Sequence, residues 1–321
     1  MHVTVESNMK SQGRLIRYSD TRLVKVWNET LSVQEIEKTN TFDKNKVIDL
    51  NNDRVKILIE GHQSPLHYLL GLYGNIVNGI EAFDNPIFVI NTTKIKAPWC
   101  DQALVEFFYY FLKDNNIDYV CVDSTLHQDI LVNNFYHAGP GDEIPVPNSI
   151  NKIYEFMKKY IKNKDVTPNK KVYLSRKKTN PRLDRSFLPE GISIDRIDDE
   201  VVLEKFFKQH GFEIVYPEDF KSFEDQINYF NEVSVAVSMS GGGAINAIFM
   251  QPGGVVLELT TTLFTPSFDG FMEAHHQFFS NVAFKKDHTY VAIKNEDKKA
   301  ATLIKKIKTN KLVMDKIIAN I

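Results

Sequence analysis

Cysteine is nearly absent from this sequence: Cys100 and Cys121 are the only two in 321 residues. Two cysteines outside any CxxC pair exclude a disulfide framework and argue against a structural zinc site. An excess of either charge is also lacking. Lys and Arg total 39 and Asp and Glu 41, a net charge of −2, so no global basic field draws in nucleic acid. No apolar run approaches the ~18 residues of a membrane span. The opening stretch, MHVTVESNMKSQGRLIRYSD, has no signal-peptide core. These absences give the expectation of a cytoplasmic chain. Glycine is scarce too, at 15 residues, yet Gly241, Gly242, Gly243, Gly253 and Gly254 share one window of fourteen.

What is present is an ordinary globular balance, 43% hydrophobic and 25% charged, which excludes a mostly disordered chain. The length fits two domains of about 150 residues. Residues 1–50 are polar, with patterns such as RLVKVW (22–27) that suggest short strands at most. From Val55 strands and helices alternate. VKILIE (55–60), IFVIN (87–91), IDYVCVD (117–123) and DILVNNF (129–135) read as strands, with helices from Leu66 to about Ala82 and over 100–116. AGPGDEIPVPNS (138–149) breaks both periods and marks a boundary, with a helix over 149–163 beyond it. The alternation then restarts: strands KVYLSR (171–176), FEIVYP (212–217), VSVAVSM (233–239) and GVVLEL (254–259), helices over 198–211, 222–232 and 242–250. Ser222 and Asp225 fit the start of the middle one. Such alternation is the mark of parallel sheets. The expected architecture is α/β, two doubly wound domains: 1–147, Rossmann-like from about 55, then 148–290, with helices over 291–321.

The glycine cluster falls between a strand and a helix. Glycine lets backbone N–H groups approach a ligand, and a helix start offers unpaired donors and partial positive charge. Together they suit a phosphate or diphosphate, with Ser240, Gly241, Gly242, Gly243, Ala244 and Asn246 as the candidate residues. A tight turn with close packing is the competing reading. Neither GxGxxG nor a Walker loop is present. QPGG (251–254) reads as a turn. Glu258, near the end of the next strand, either accepts hydrogen bonds from ribose hydroxyls or caps a neighbouring helix. Ser175 and Arg176 end the first strand of the second domain, and a guanidinium binds phosphate oxygens in bidentate fashion. The helices over 294–321 carry eight lysines against three acids. They present a solvated face or, alternatively, a weak contact with an anionic membrane surface.

Taken in order, YLSR (173–176), RIDDE (196–200), GFEIVYPEDFKSFEDQI (211–227) and VAVSMSGGGAINAIFMQPGGVVLEL (235–259) resemble glycosyltransferase family 61. HYLLGLYGNI (67–76) adds a weaker match to the family's helical histidine motif. The resemblance implies a GT-B-like fold, two Rossmann-like domains facing a cleft, with the C-terminal helices crossing back to the first. It implies inverting transfer of a sugar from a nucleotide donor, usually UDP-linked, to a glycan or other hydroxyl acceptor, with no bound metal and no cofactor. On that basis Ser175, Arg176, Ser240, Gly241–Gly243, Ala244, Asn246 and Glu258 are donor-binding candidates. The reaction also needs a base for the acceptor hydroxyl. His62, in the turn after strand 55–60, and His67, in the following helix, are the candidates. Two positions depart from the family pattern. Ser240 stands where the family's glycine turn has His, and Gly71 where its helix has an acid. A nucleotide-sugar-binding or scaffold protein without turnover is therefore the alternative.

Overall fold

The computed structural model describes residues 4–5, 15–18, 20, 22–27, 30–34, 47–60, 73–91, 102–122, 129–138, 153–176, 197–240, 242–261 and 287–318. The chain divides into two units, Met1–Ile153 and Tyr154–Ile321.

In the first unit a six-stranded sheet has the order β1 (Thr4–Val5), β2 (Leu15–Tyr18), β10 (Phe135–Ala138), β6 (Lys56–Glu60), β7 (Ile87–Asn91), β8 (Tyr119–Val122). The run from β10 to β8 is parallel, and β2 joins it antiparallel. Every residue of β7 is buried, which is why its sequence is an apolar run rather than an alternation. Helix α1 (Tyr73–Ala82) follows β6, and α2 (Gln102–Asp114) follows β7. Phe108, Phe111 and Leu112 form the buried stripe of α2. On α1, Gly79 lets the helix lie close to the sheet. A Cβ there would stand 2.5 Å from Ile57 Cδ1 and 2.8 Å from the Phe88 ring.

A second sheet of four strands has the order β4 (Thr30–Gln34), β3 (Arg22–Trp27), β9 (Asp129–Val132), β5 (Val47–Leu50). The strands before residue 55 are short, as their patterns suggest, but they build this sheet and the edge of the other. DILVNNF is not one strand. The chain leaves β9 and enters β10, in the other sheet, at Asn133 and Asn134, the latter at φ 44°. Asparagine tolerates that left-handed backbone better than most residues. Buried Lys56 ties the crossing down. Its ammonium donates to Asn133 Oδ1 at 2.8 Å and to the Asn52 carbonyl, and burial holds its pKa below the usual lysine value.

The second unit has one parallel sheet, ordered β12 (Glu213–Val215), β11 (Lys170–Leu174), β13 (Val233–Met239), β14 (Val255–Thr261), β15 (Thr289–Asn295). Counted within the unit the order is 2-1-3-4-5, a doubly wound arrangement. Val235, Val237 and Met239, with Leu257 and Leu259, bury one face of the sheet beneath α3 (Glu200–Gln209) and α5 (Ala300–Thr309). From α3 come Leu203, Phe206 and Phe207, spaced for a single helical face, and Phe207 stacks on Tyr173 at 4.8 Å. From α5 come Leu303 and Ile307. Helix α4 (Phe223–Asn231) packs with a 3-10 helix, Gly242–Phe249, that also lies on β13. Phe223 and Phe249 meet edge to face at 5.3 Å. Ser222 is the N-cap of α4: its hydroxyl accepts from the Asp225 N–H at 3.1 Å.

Other elements differ from the sequence reading as well. The segment after the glycines is a 3-10 helix rather than an α-helix, in keeping with the weak helix preference of its two leading glycines. Strand β14 runs on to Thr261, because Thr260 and Thr261 keep pairing with Lys294 and Asn295. The last helices pack into the core of the second unit through Leu303, Ile307, Val313, Ile317 and Ile318. Strand β15, which the sequence reading does not contain, leads directly into them. Lys305, Lys308 and Lys311 are exposed. Among the described residues no helix is long and apolar enough to cross a membrane.

Candidate functional site

In an open parallel sheet the strand order reverses at one point, and ligands bind beyond the carboxyl ends of the strands there. Here that point lies between β11 and β13. Leu174 pairs with Ser238, so Ser175 and Arg176 run out beside Met239 and Ser240. Both extensions stay tied to their neighbours. The Ser175 N–H donates to the Val215 carbonyl at 2.9 Å, and the Ser240 N–H to the Leu259 carbonyl at 2.7 Å. The two segments chosen from sequence, Ser175–Arg176 and the Ser240 turn, therefore meet at the switch point of one sheet.

Ser240 is 2% exposed, and its hydroxyl makes no hydrogen bond to any described residue. Such an isolated buried hydroxyl is costly unless something else engages it. Gly241 lies outside the described residues. Gly242 begins the 3-10 helix, whose first N–H groups have no partner within it. A Cβ at Gly243 would meet nothing within 4 Å among the described residues. Among the described residues neither packing nor a left-handed backbone requires glycine there. Ala244 is in the same helix, though its side chain is outside the described set. Asn246 has a bracing position: Oδ1 accepts from Gln226 Nε2 at 2.6 Å, and Nδ2 donates to the Gly243 carbonyl at 2.8 Å. It fixes the helix start to α4.

The other glycine pair does structural work. Gly253 has φ +89°, and a Cβ on Gly254 would stand 2.6 Å from the Met250 side chain. His288 joins this turn to the 3-10 helix. Its Nδ1 accepts from the Gly254 N–H at 3.1 Å, which leaves Nε2 to carry the hydrogen toward the Ala247 carbonyl, also at 3.1 Å.

Beneath Ser175 and Arg176 lies a pair of carboxylates that the sequence reading did not single out. Glu200 and Glu204 are four residues apart on α3 and so share a face. Ser175 Oγ and the Tyr216 hydroxyl both donate to Glu204 Oε1, at 2.8 and 2.9 Å. The Arg176 N–H and the Tyr173 hydroxyl both donate to Glu200 Oε1, at 2.9 and 3.0 Å. Burial raises the pKa of Glu200, opposed by those two hydrogen bonds and by the charge of Arg176. Burial, then the bond to Glu204, pushes Tyr216 up to about 12. Tyr173 is raised by burial first and by Glu200 second. The spacing of the two glutamates on the predicted helix was the available signal.

Glu258 sits in the middle of β14 rather than near its end, fully buried, with Oε2 accepting from the Tyr290 hydroxyl. Burial, then that carboxylate, raises the pKa of Tyr290. His62 and His67 lie outside the described residues. Among those described, no three His, Cys, Asp or Glu side chains are grouped to hold a metal ion.

Residues 130–257 match the protein family described as Glycosyltransferase 61. No curated protein matches the chain. The matched stretch starts in β9, ends in β14 and contains Ser175, Arg176, Glu200, Glu204, Tyr216, the Ser240–Gly243 turn and Asn246. It ends one residue before Glu258 and does not reach His62 or His67. That stretch, which holds both strand ends of the switch point, is similar to glycosyltransferase family 61, and the match supports a glycosyltransferase.

Proposed function

We propose that the protein is an inverting, metal-independent glycosyltransferase of GT-B type. It moves a sugar from a nucleotide donor, UDP-linked, to a glycan or other hydroxyl acceptor. The observation that carries this reading is the convergence at the switch point of Arg176, the isolated Ser240 hydroxyl and the open N-terminal turn of the 3-10 helix. A diphosphate leaving group gathers negative charge as the anomeric bond breaks, so it needs fixed donors or cations. In this reading the amides around Gly241–Gly243 and the Ser240 hydroxyl hold the phosphates, and Arg176 neutralises them. Asn246 and Glu258 keep the surrounding elements in place. His62 or His67 takes the proton from the acceptor hydroxyl as it attacks in line, which gives inversion in a single displacement.

Incubation with a panel of nucleotide sugars and acceptors, with and without EDTA, tests the reaction. Transfer that survives EDTA and inverts the anomeric centre is expected. Absence of any nucleotide or nucleotide-sugar binding by calorimetry would overturn the reading. The substitution of Ser240 for the family histidine favours a second reading, binding without turnover. Nucleotide affinity with no transfer to any acceptor is its signature.

A further inference from the structure

We infer that Glu200 and Glu204 are positioning residues of this site, and that Glu200 is the counter-charge which a donor diphosphate displaces at Arg176. The inference rests on the donor-site reading above. Its ground is the bonding pattern. Each carboxylate gathers two donors onto one oxygen, and each pair joins a strand-end residue to a tyrosine: Ser175 with Tyr216 on Glu204, the Arg176 N–H with Tyr173 on Glu200. The backbone that carries the guanidinium is thus clamped to α3 from both residues of the turn.

Two consequences follow for the ligand. With its hydroxyl hydrogen directed to Glu204, Ser175 has no hydrogen left for a phosphate oxygen. With its N–H on Glu200, Arg176 has only its side chain to offer. Recognition on the β11 side is therefore by guanidinium, while backbone amides act on the β13 side. Glu200 is 9% exposed, and its burial opposes ionisation. A neutral amide in its place would accept the same two bonds without the cost of a buried charge. The charge is the part that bracing leaves unexplained. Its carboxylate is bonded to the Arg176 backbone, within range of that residue's positive charge, and an incoming diphosphate competes with it for that cation.

The test compares wild type, Glu200→Gln, Glu200→Ala and Glu204→Ala for binding of UDP, inorganic pyrophosphate and uridine by calorimetry, with thermal unfolding as the check on folding. Glu200→Ala and Glu204→Ala are expected to weaken UDP and pyrophosphate about tenfold, the loss of a charge-assisted contact. Glu200→Gln keeps the acceptor and loses the charge, so it is expected to bind both more tightly than wild type. Uridine binding stays level throughout. If Glu200→Ala does not fold, Glu200→Gln carries the test alone. Equal weakening by Gln and Ala, or UDP affinity unchanged in all variants, overturns this inference and leaves the donor site standing. A wild type that binds neither UDP nor pyrophosphate overturns the donor-site reading and this inference with it.

Discussion

Individual residues at the switch point divide into those that hold the frame and those that face the ligand. Arg176 belongs to the second group. Its replacement by Ala is expected to reduce UDP affinity about ten- to a hundredfold, since hydrogen bonds to charged groups are worth ~1.5–3 kcal/mol, and titration calorimetry reads that directly. Gly243 is a sharper probe. No described residue stands within 4 Å of the position its Cβ would take, so Gly243→Ala is expected to leave the unfolding midpoint unchanged or raise it slightly, as Gly to Ala in a helix does. The same methyl group intrudes on a ligand seated at the helix start, and UDP affinity falls. Glu200 also gives a pH signature. Its folded pKa lies above the ordinary carboxylate value, so the folded state holds the proton more tightly than the unfolded chain. The stability of wild type relative to Glu200→Gln should therefore fall as pH rises through the ordinary carboxylate range to the raised value, then level off. Chemical denaturation across that range measures the slope.

Secondary-structure elements show where the sequence was informative and where it was not. VSVAVSM and IFVIN were legible as strands because a buried parallel strand needs apolar side chains on both faces. Ser222 marked the start of α4 because its hydroxyl has one geometric use there. Its replacement by Ala should cost about 1 kcal/mol in chemical denaturation, the usual worth of an N-cap. The pair β9 and β10 was not legible, because two asparagines in a polar stretch do not announce a change of sheet. Glu200 and Glu204 were hidden for a different reason. Carboxylates four apart on a helix ordinarily face solvent, and only the tertiary fold turns them inward onto Ser175 and Arg176. Gly79, by contrast, is a contact that only the structure reveals. Gly79→Ala should destabilise the first unit by about 1–3 kcal/mol through overpacking against Ile57 and Phe88, as denaturation midpoints would show.

For the molecule as a whole, the second unit owes its core to residues far apart in sequence. Tyr173 and Val237 lie under a layer that includes Leu303, Ile307, Val313 and Ile317, and β14 has β15 as its partner. The doubly wound class was legible because alternating strand and helix patterns permit little else. The place of the last helices was not, since an amphipathic face records that it is buried but not against what. This arrangement bears on the order of events during synthesis. As the chain leaves the ribosome, β14 emerges with one edge unpaired and with Leu257 and Leu259 uncovered. They stay so until β15 and α5 have been made. An unpaired edge beside an apolar face invites association between nascent chains. The second unit therefore completes its folding late, and translation halted before residue 289 would leave an aggregation-prone intermediate rather than a smaller version of the fold.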